Sequence, residues 1–131
     1  MKLAATRVIT DDVDGLVEFY EKITGLSARR VHPLFAELET STGTLAIASS
    51  QTIGLLGENA LESRANRSVT FDFLVDDVDA VYATLREVVA EFVNEPTTMP
   101  WGNRSLLFRD PDGNLVNVFS PATDAARARF A

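Results

Sequence analysis

Two stretches of this chain repeat one pattern around an identical "DDVD": "RVITDDVDGLVEFY", beginning at Arg7, and "DFLVDDVDAVYATL", beginning at Asp72. The spacing is 65 residues throughout, so Asp11 corresponds to Asp76, Asp12 to Asp77, Val13 to Val78 and Asp14 to Asp79. Self-similarity at a fixed period constrains a fold more than any local propensity, because each copy must build the same supersecondary unit. With 131 residues and two copies, the chain is one ordinary domain or two half-sized units sharing a core.

Each copy reads as strand, acidic turn, helix. Asp or Thr residues ahead of "VDGLVEFYEKI" and an Asp ahead of "VDAVYATLREVV" supply N-cap oxygens, and the acidic first turns suit the positive end of the helix dipole. In the first helix Leu16, Phe19, Tyr20 and Ile23 recur at helical spacing and Gly25 stops the run. Val78, Val81, Tyr82, Leu85 and Val89 form the matching stripe in the second. Short β segments follow each helix. The first half offers "ARRVHP", "LFAELET", a "STG" turn and "TLAIASS"; the second offers "EFVNEP", "NRSLLFR", a "DPDGN" turn and "LVNVFSP". Matching Leu45 to Leu115 at an offset of 70 makes the second hairpin five residues longer. The expected organisation is therefore βαβββ twice: module one about 3–50, a connecting loop 51–67 rich in Gly, Asn and charge, module two about 68–121, and a tail 122–131.

Strand side chains alternate between faces, so the helix-facing residues determine the rest. With Phe71, Phe73 and Val75 beneath the helices, Thr70, Asp72 and Leu74 take the other face, and the repeat maps these onto Ala5, Arg7 and Ile9. The hairpins add Phe35, Glu37 and Glu39 beside Ser105, Leu107 and Arg109, with Ile47 beside Asn117. A face that mixes Arg7, Glu37, Asp72, Ser105 and Asn117 with Phe35, Ile47 and Phe119 has the make-up of a small-molecule site, apolar with a few placed polar groups.

Charge and composition exclude several classes. A net charge of -7 does not suit a phosphate backbone, so no nucleic-acid partner is expected. No run approaches the length of a membrane span, so no membrane partner is expected, and the absence of cysteine fits a cytoplasmic protein. There is no Gly-rich phosphate loop, nucleophile elbow or paired-His motif. The "DDVD" and "VDDVD" runs lack the spacing of a calcium loop and are accounted for by helix capping.

Taken together, the "VDDV" strand-to-helix turns, the "FY" of the first helix, "PWGNRS" and "DPDGNLV", in this order on a βαβββ repeat, resemble the vicinal oxygen chelate superfamily of glyoxalases, bleomycin-resistance proteins and extradiol dioxygenases. The resemblance covers Leu3 to Pro121. It implies an α+β fold in which two βαβββ modules form a curved mixed sheet with a cup-shaped cavity, completed as a homodimer. It also implies, for the enzymes, a divalent metal held from the first and last strand of each module. Carried over, those positions are Ala5, Ile47 (Ala46 or Ala48 if the register slips by one), Thr70 and Asn117. None is His, Glu or Gln, so no catalytic residue, no metal ligand and no cofactor is expected; the alternative is a divalent ion recruited by Glu37, Glu39 or Asp72.

The expected function is metal-independent binding of a small, planar or amphipathic organic molecule, with Trp101, Asn117, Asp72, Arg7, Phe35, Glu37, Thr70 and Phe119 as ligand-binding residues. Trp101 would stack on the ligand, as the corresponding loop does in the bleomycin-resistance proteins this resembles, or else anchor an interface or the core. Asn117 would hydrogen-bond a ligand or bridge two strands. Arg7 and Asp72 would clamp substrate or pair with each other. His32, the one histidine, reads as a surface residue. A metal-dependent lyase, isomerase or dioxygenase and a ligand-free dimerisation module are the competing readings.

Overall fold

The computed structural model describes all residues from Met1 to Ala131 and divides them into two compact units, Met1–Asn66 and Arg67–Ala131. The boundary lies between the two copies of the repeat. Each unit is a four-stranded mixed sheet carrying a helix, as the βαβββ pattern requires.

In the first unit, β1 (Thr6–Thr10) leads into α1 (Val13–Thr24), followed by β2 (Arg29–His32), β3 (Phe35–Glu39) and β4 (Thr44–Ser49). The sheet order is β1-β4-β3-β2, with β1 parallel to β4 and the hairpins antiparallel. The helix begins where the sequence says it should: the Asp12 carboxylate accepts the Gly15 N–H at 3.0 Å, and Gly25 ends it at φ 72°, a left-handed conformation that costs glycine nothing. Leu16, Val17 and Tyr20 are buried, and α1 packs on β3 and β4. Ala36, Leu38 and Ile47 lie at 0–1% exposure and form the core of this unit.

In the second unit β5 (Thr70–Leu74), α3 (Val78–Leu85), the two-residue β6 (Thr97–Thr98), β7 (Asn103–Arg109) and β8 (Leu115–Pro121) repeat the pattern in the order β5-β8-β7-β6. The Asp77 carboxylate caps α3 by accepting the Asp79 and Ala80 N–H groups. The Val78 N–H is donated to Ser120 Oγ at 3.3 Å, which places the Val116, Val118 and Ser120 side of β8 under the helix. Leu106, Phe108 and Val116 are fully buried on that side.

Four differences from the sequence expectation have physical causes. α3 stops at Leu85 instead of running to Val89; a tight turn follows, with the Val88 and Val89 N–H groups both donated to the Leu85 carbonyl. Adjacent β-branched Val88 and Val89 favour that exit, and Val89 is still buried. "EFVNEP" contributes only a bridge from Phe92 to Phe108. There the Asn94 side chain accepts the Leu107 N–H at 2.8 Å in place of a backbone carbonyl, and Pro96 has no N–H to continue a ladder. The connecting segment holds one helical turn, α2 (Ile53–Leu56), and the tail forms α4 (Asp124–Arg129), capped by Thr123 Oγ1.

The fourth concerns register. Val8 pairs with Ile47 and Arg7 with Ala46 in the first unit, while Asp72 pairs with Asn117 in the second. Position 46 therefore corresponds to position 117, so the second hairpin is six residues longer, not five. Ile47 accordingly lies on the α1 side, in line with Ala36 and Val8, and is not beside the equivalent of Asn117. A one-residue change of register reverses every side chain of a strand.

Candidate functional site

The face of the second sheet turned away from α3 carries most of the singled-out residues. Cross-strand pairs place Asp72 opposite Asn117, Asn117 opposite Leu107, Phe119 opposite Ser105 and Leu74, and Thr70 opposite Leu115. Thr70, Asp72, Asn117 and Phe119 thus share one surface, as expected. Asp72 and Thr70 are exposed, Asn117 is half-buried, and Phe119 is 7% exposed.

Asn117 is the unusual group. Its Nδ2 donates to Asp72 Oδ1 at 3.2 Å. A carboxylate only accepts, so the amide must turn its nitrogen towards Asp72 and its oxygen the other way. That oxygen is buried and has no hydrogen-bond partner. Such an orphan acceptor costs about 1–3 kcal/mol. Asn117 thus does bridge two strands, but half of its polar capacity is unmet. Asn103, which the reading of "PWGNRS" passed over, repeats the feature: it is 8% exposed, faces the same side opposite Pro121, and its Oδ1 is likewise orphaned. No sequence signal separates it from any other asparagine in a strand.

Trp101 stands on the turn between β6 and β7 and is 65% exposed, so it is not a core anchor of this chain. The turn is held firmly. Gly102 adopts φ 94°, its N–H is donated to Met99 O, and its carbonyl accepts the Ala122 N–H at 2.8 Å. A side chain at Gly102 would run into Thr123 Oγ1 and into Ala126 of α4. The "DPDGN" reversal is equally fixed: Asp110 Oδ1 accepts the Asp112 and Asn114 N–H groups at 2.9 Å, Oδ2 accepts Asn114 Nδ2 at 2.8 Å, and Gly113 sits at φ 85°.

Phe119 has a cover that the sequence did not announce. The Phe130 ring, one residue beyond α4, packs edge-on against it with centroids 5.3 Å apart, and the Arg129 guanidinium lies 5.1 Å from the Phe130 ring.

The other candidates, Arg7, Phe35 and Glu37, belong to the first sheet, on the face away from α1. Arg7 is exposed and in register with Ala46, which pairs with Glu37. Glu37 and Glu39 both reach Arg29 Nη2, at 3.5 and 3.0 Å. Phe35 stacks on His32, whose Nδ1 accepts the Leu34 N–H at 3.1 Å. The acidic turns also have partners: Asp14 pairs with Arg30 at 2.7 Å, and Asp79 takes both Nε and Nη2 of Arg104, at 2.8 and 3.0 Å. Hydrogen bonds from Arg104 hold the Asp79 carboxyl below the usual carboxylate range, and those from Ser50 and Ser63 do the same for Asp11. These pairings are structural, tying helix starts to strands and β1 to the connecting segment.

The four positions at which a divalent ion would be held do not fit one. Ala5 precedes β1, and Ala46 and Ala48 replace Ile47 on the relevant face; all three present methyl groups without a lone pair. Thr70 and Asn117 offer one neutral oxygen each, and the amide oxygen is buried. Hard and borderline divalent ions need several carboxylate or imidazole donors converging on one point, and no group of three or more His, Cys, Asp or Glu in the chain is placed to hold a metal ion.

Fold, repeat and motif order converge on one assignment: the chain belongs to the Glyoxalase/Bleomycin resistance protein/Dioxygenase superfamily, whose pattern matches residues 2–118. It is 32% identical over 128 residues to the uncharacterised protein YraH of Bacillus subtilis, covering 91% of this chain and 98% of that one. A glyoxalase/bleomycin resistance protein/dioxygenase from Nocardioides is similar in structure, with a TM-score of 0.78 at 26% identity over 95% of this chain and 85% of that one. A glyoxalase/bleomycin resistance protein/dioxygenase family enzyme from Burkholderia phytofirmans PsJN shares the fold at a TM-score of 0.83 and 17% identity, over 92% of this chain and 99% of that one. No helix of the chain is long and apolar enough to cross a membrane.

Proposed function

We propose that this protein binds a small organic molecule without a metal ion and acts by sequestering it. The observation that carries the reading is the set of side chains at the family's metal-holding positions, Ala5, Ala46, Thr70 and Asn117, which offer almost no donor atoms. Three further features support it. The second sheet combines an exposed carboxylate, an amide with unmet capacity and an aromatic ring on one face. Trp101 stands exposed on a rigid turn, a preorganised surface for a planar ligand. Glu37 and Glu39 share Arg29, which leaves them poorly disposed to take a cation as the competing metalloenzyme reading needs.

The protein works in the cytoplasm as a homodimer in this reading, consistent with its lack of cysteine and with exposed apolar side chains such as Leu55 and Leu56. Titration of planar and amphipathic compounds against the fluorescence of Trp101, the single tryptophan, tests the proposal. A saturable change with at least one compound class is the expected result. A flat response across a broad aromatic library overturns it, and so does stoichiometric iron, nickel, manganese or zinc in protein purified without chelator.

A further inference from the structure

We infer that the ligand carries an aromatic ring and a cationic nitrogen, and that the chain's own C-terminal Arg129–Phe130 occupies the ring's place until the ligand displaces it. The inference rests on the small-molecule reading above and specifies its chemistry.

Phe119 forms the first part of the site. On the face away from α3 it is buried, while its register partner Leu74 remains 49% exposed. An apolar ring on that face needs a cover, and Phe130 is the aromatic ring packed on it, edge-on at 5.3 Å. The element that delivers Phe130 is weakly held. α4 has only six residues, too few for a helix to be stable by itself. It buries Ala126, and the ion pair inside it, Arg127 to Asp124, is solvent-exposed. Phe130 is thus a replaceable occupant of an aromatic subsite.

The second part of the site is Asp72. It is exposed and accepts a hydrogen bond from the Asn117 amide, a neutral donor that orients the carboxylate and leaves its charge unneutralised. Asp72 lies two residues along β5 from Leu74, the register partner of Phe119, so the carboxylate stands roughly 7 Å from the aromatic subsite. Asp72 is the exposed charged group on this face, and a carboxylate only accepts. The complementary ligand is a donor, and a positive one. The present occupant has the same two parts: Arg129 holds its guanidinium against the Phe130 ring. A protein of net charge -7 further favours a cation over an anion.

Three phenylpropyl probes test this: 3-phenylpropylamine, 3-phenylpropan-1-ol and 3-phenylpropionate, each with three carbons beyond the ring. Dissociation constants come from calorimetry, and NMR follows the Asn117 side-chain amide and the Trp101 indole. The amine should bind about three- to fivefold more tightly than the alcohol, with the propionate weakest. Asp72→Asn should abolish the amine's advantage over the alcohol. Phe130→Ala should tighten all three by about three- to tenfold, the worth of one aromatic pair. Unchanged or weaker binding in Phe130→Ala makes Phe130 a structural anchor or a wall of the site and overturns the displacement. Equal affinity for amine and alcohol, or an advantage that survives Asp72→Asn, overturns the cationic ligand. Failure of all three probes while another compound class shifts Trp101 refutes this inference and leaves the proposed function standing; failure of every compound refutes both.

Discussion

Replacing Asn117 with leucine should make the protein more stable. The two side chains share a branched skeleton of heavy atoms, so the substitution removes the polar atoms with little change of shape. In the native chain Oδ1 is buried without a partner, at a cost of about 1–3 kcal/mol. Against its removal stands the loss of the Nδ2 bond to Asp72, 3.2 Å long. That bond is worth about 1 kcal/mol, because Asp72 is exposed and water replaces the amide at little cost. Leu107, directly opposite, offers the new side chain an apolar neighbour. The balance is a gain on the order of 1 kcal/mol, which in a domain of this size raises Tm by about 3–5 °C. Urea denaturation followed by circular dichroism gives the free energy, and an unchanged m-value shows that stability has changed and the surface exposed on unfolding has not. A loss of 1 kcal/mol or more refutes the reasoning, since it would mean that Oδ1 has a partner in the folded protein. If Asn117→Leu is stabilised but loses ligand affinity, the amide is held at a stability cost for binding, a pattern common at functional sites.

Three further outcomes follow from the local geometry. Gly102→Ala should destabilise the second unit by about 1–3 kcal/mol and shift Trp101 emission, because φ 94° and the neighbouring Thr123 and Ala126 leave no room for a Cβ; an unchanged urea midpoint contradicts this. Asp110→Ala should cost about 2–4 kcal/mol by leaving the Asp112 and Asn114 N–H groups and the Asn114 amide without their shared acceptor, as read by the same denaturation assay. The depressed folded pKa of Asp79 means that its contribution to stability is present above the unfolded carboxylate range near pH 4 and is lost as pH falls through the folded value. Asp79→Asn should therefore be less stable than the native chain at pH 6, and the two should converge towards pH 2; parallel curves contradict the assignment.

Much of the fold was legible because it rests on local chemistry. Asp12, Asp77 and Gly25 cap their helices as the residue types dictate, and the repeat carried the βαβββ order from one half to the other. What escaped depended on distance. The side on which Ile47 lies turns on a single residue in hairpin length, which no propensity encodes and only the cross-strand pairing reveals. The strand expected in "EFVNEP" is reduced to a bridge because the Asn94 side chain takes over a backbone hydrogen bond. The α4 sequence, Asp124 to Arg129, has no amphipathic stripe; its place comes from Thr123, Gly102 and the Phe119–Phe130 contact. The site divides likewise. Alternation alone brought Thr70, Asp72, Asn117 and Phe119 together, whereas the orphaned oxygens of Asn103 and Asn117 and the cover over Phe119 are visible only in three dimensions.

The central claim is ligand binding without metal, and a Trp101 fluorescence titration in excess EDTA addresses it most directly. A saturable change is expected, with the same dissociation constant with and without chelator. Binding that disappears in EDTA and returns on adding a divalent ion would contradict it.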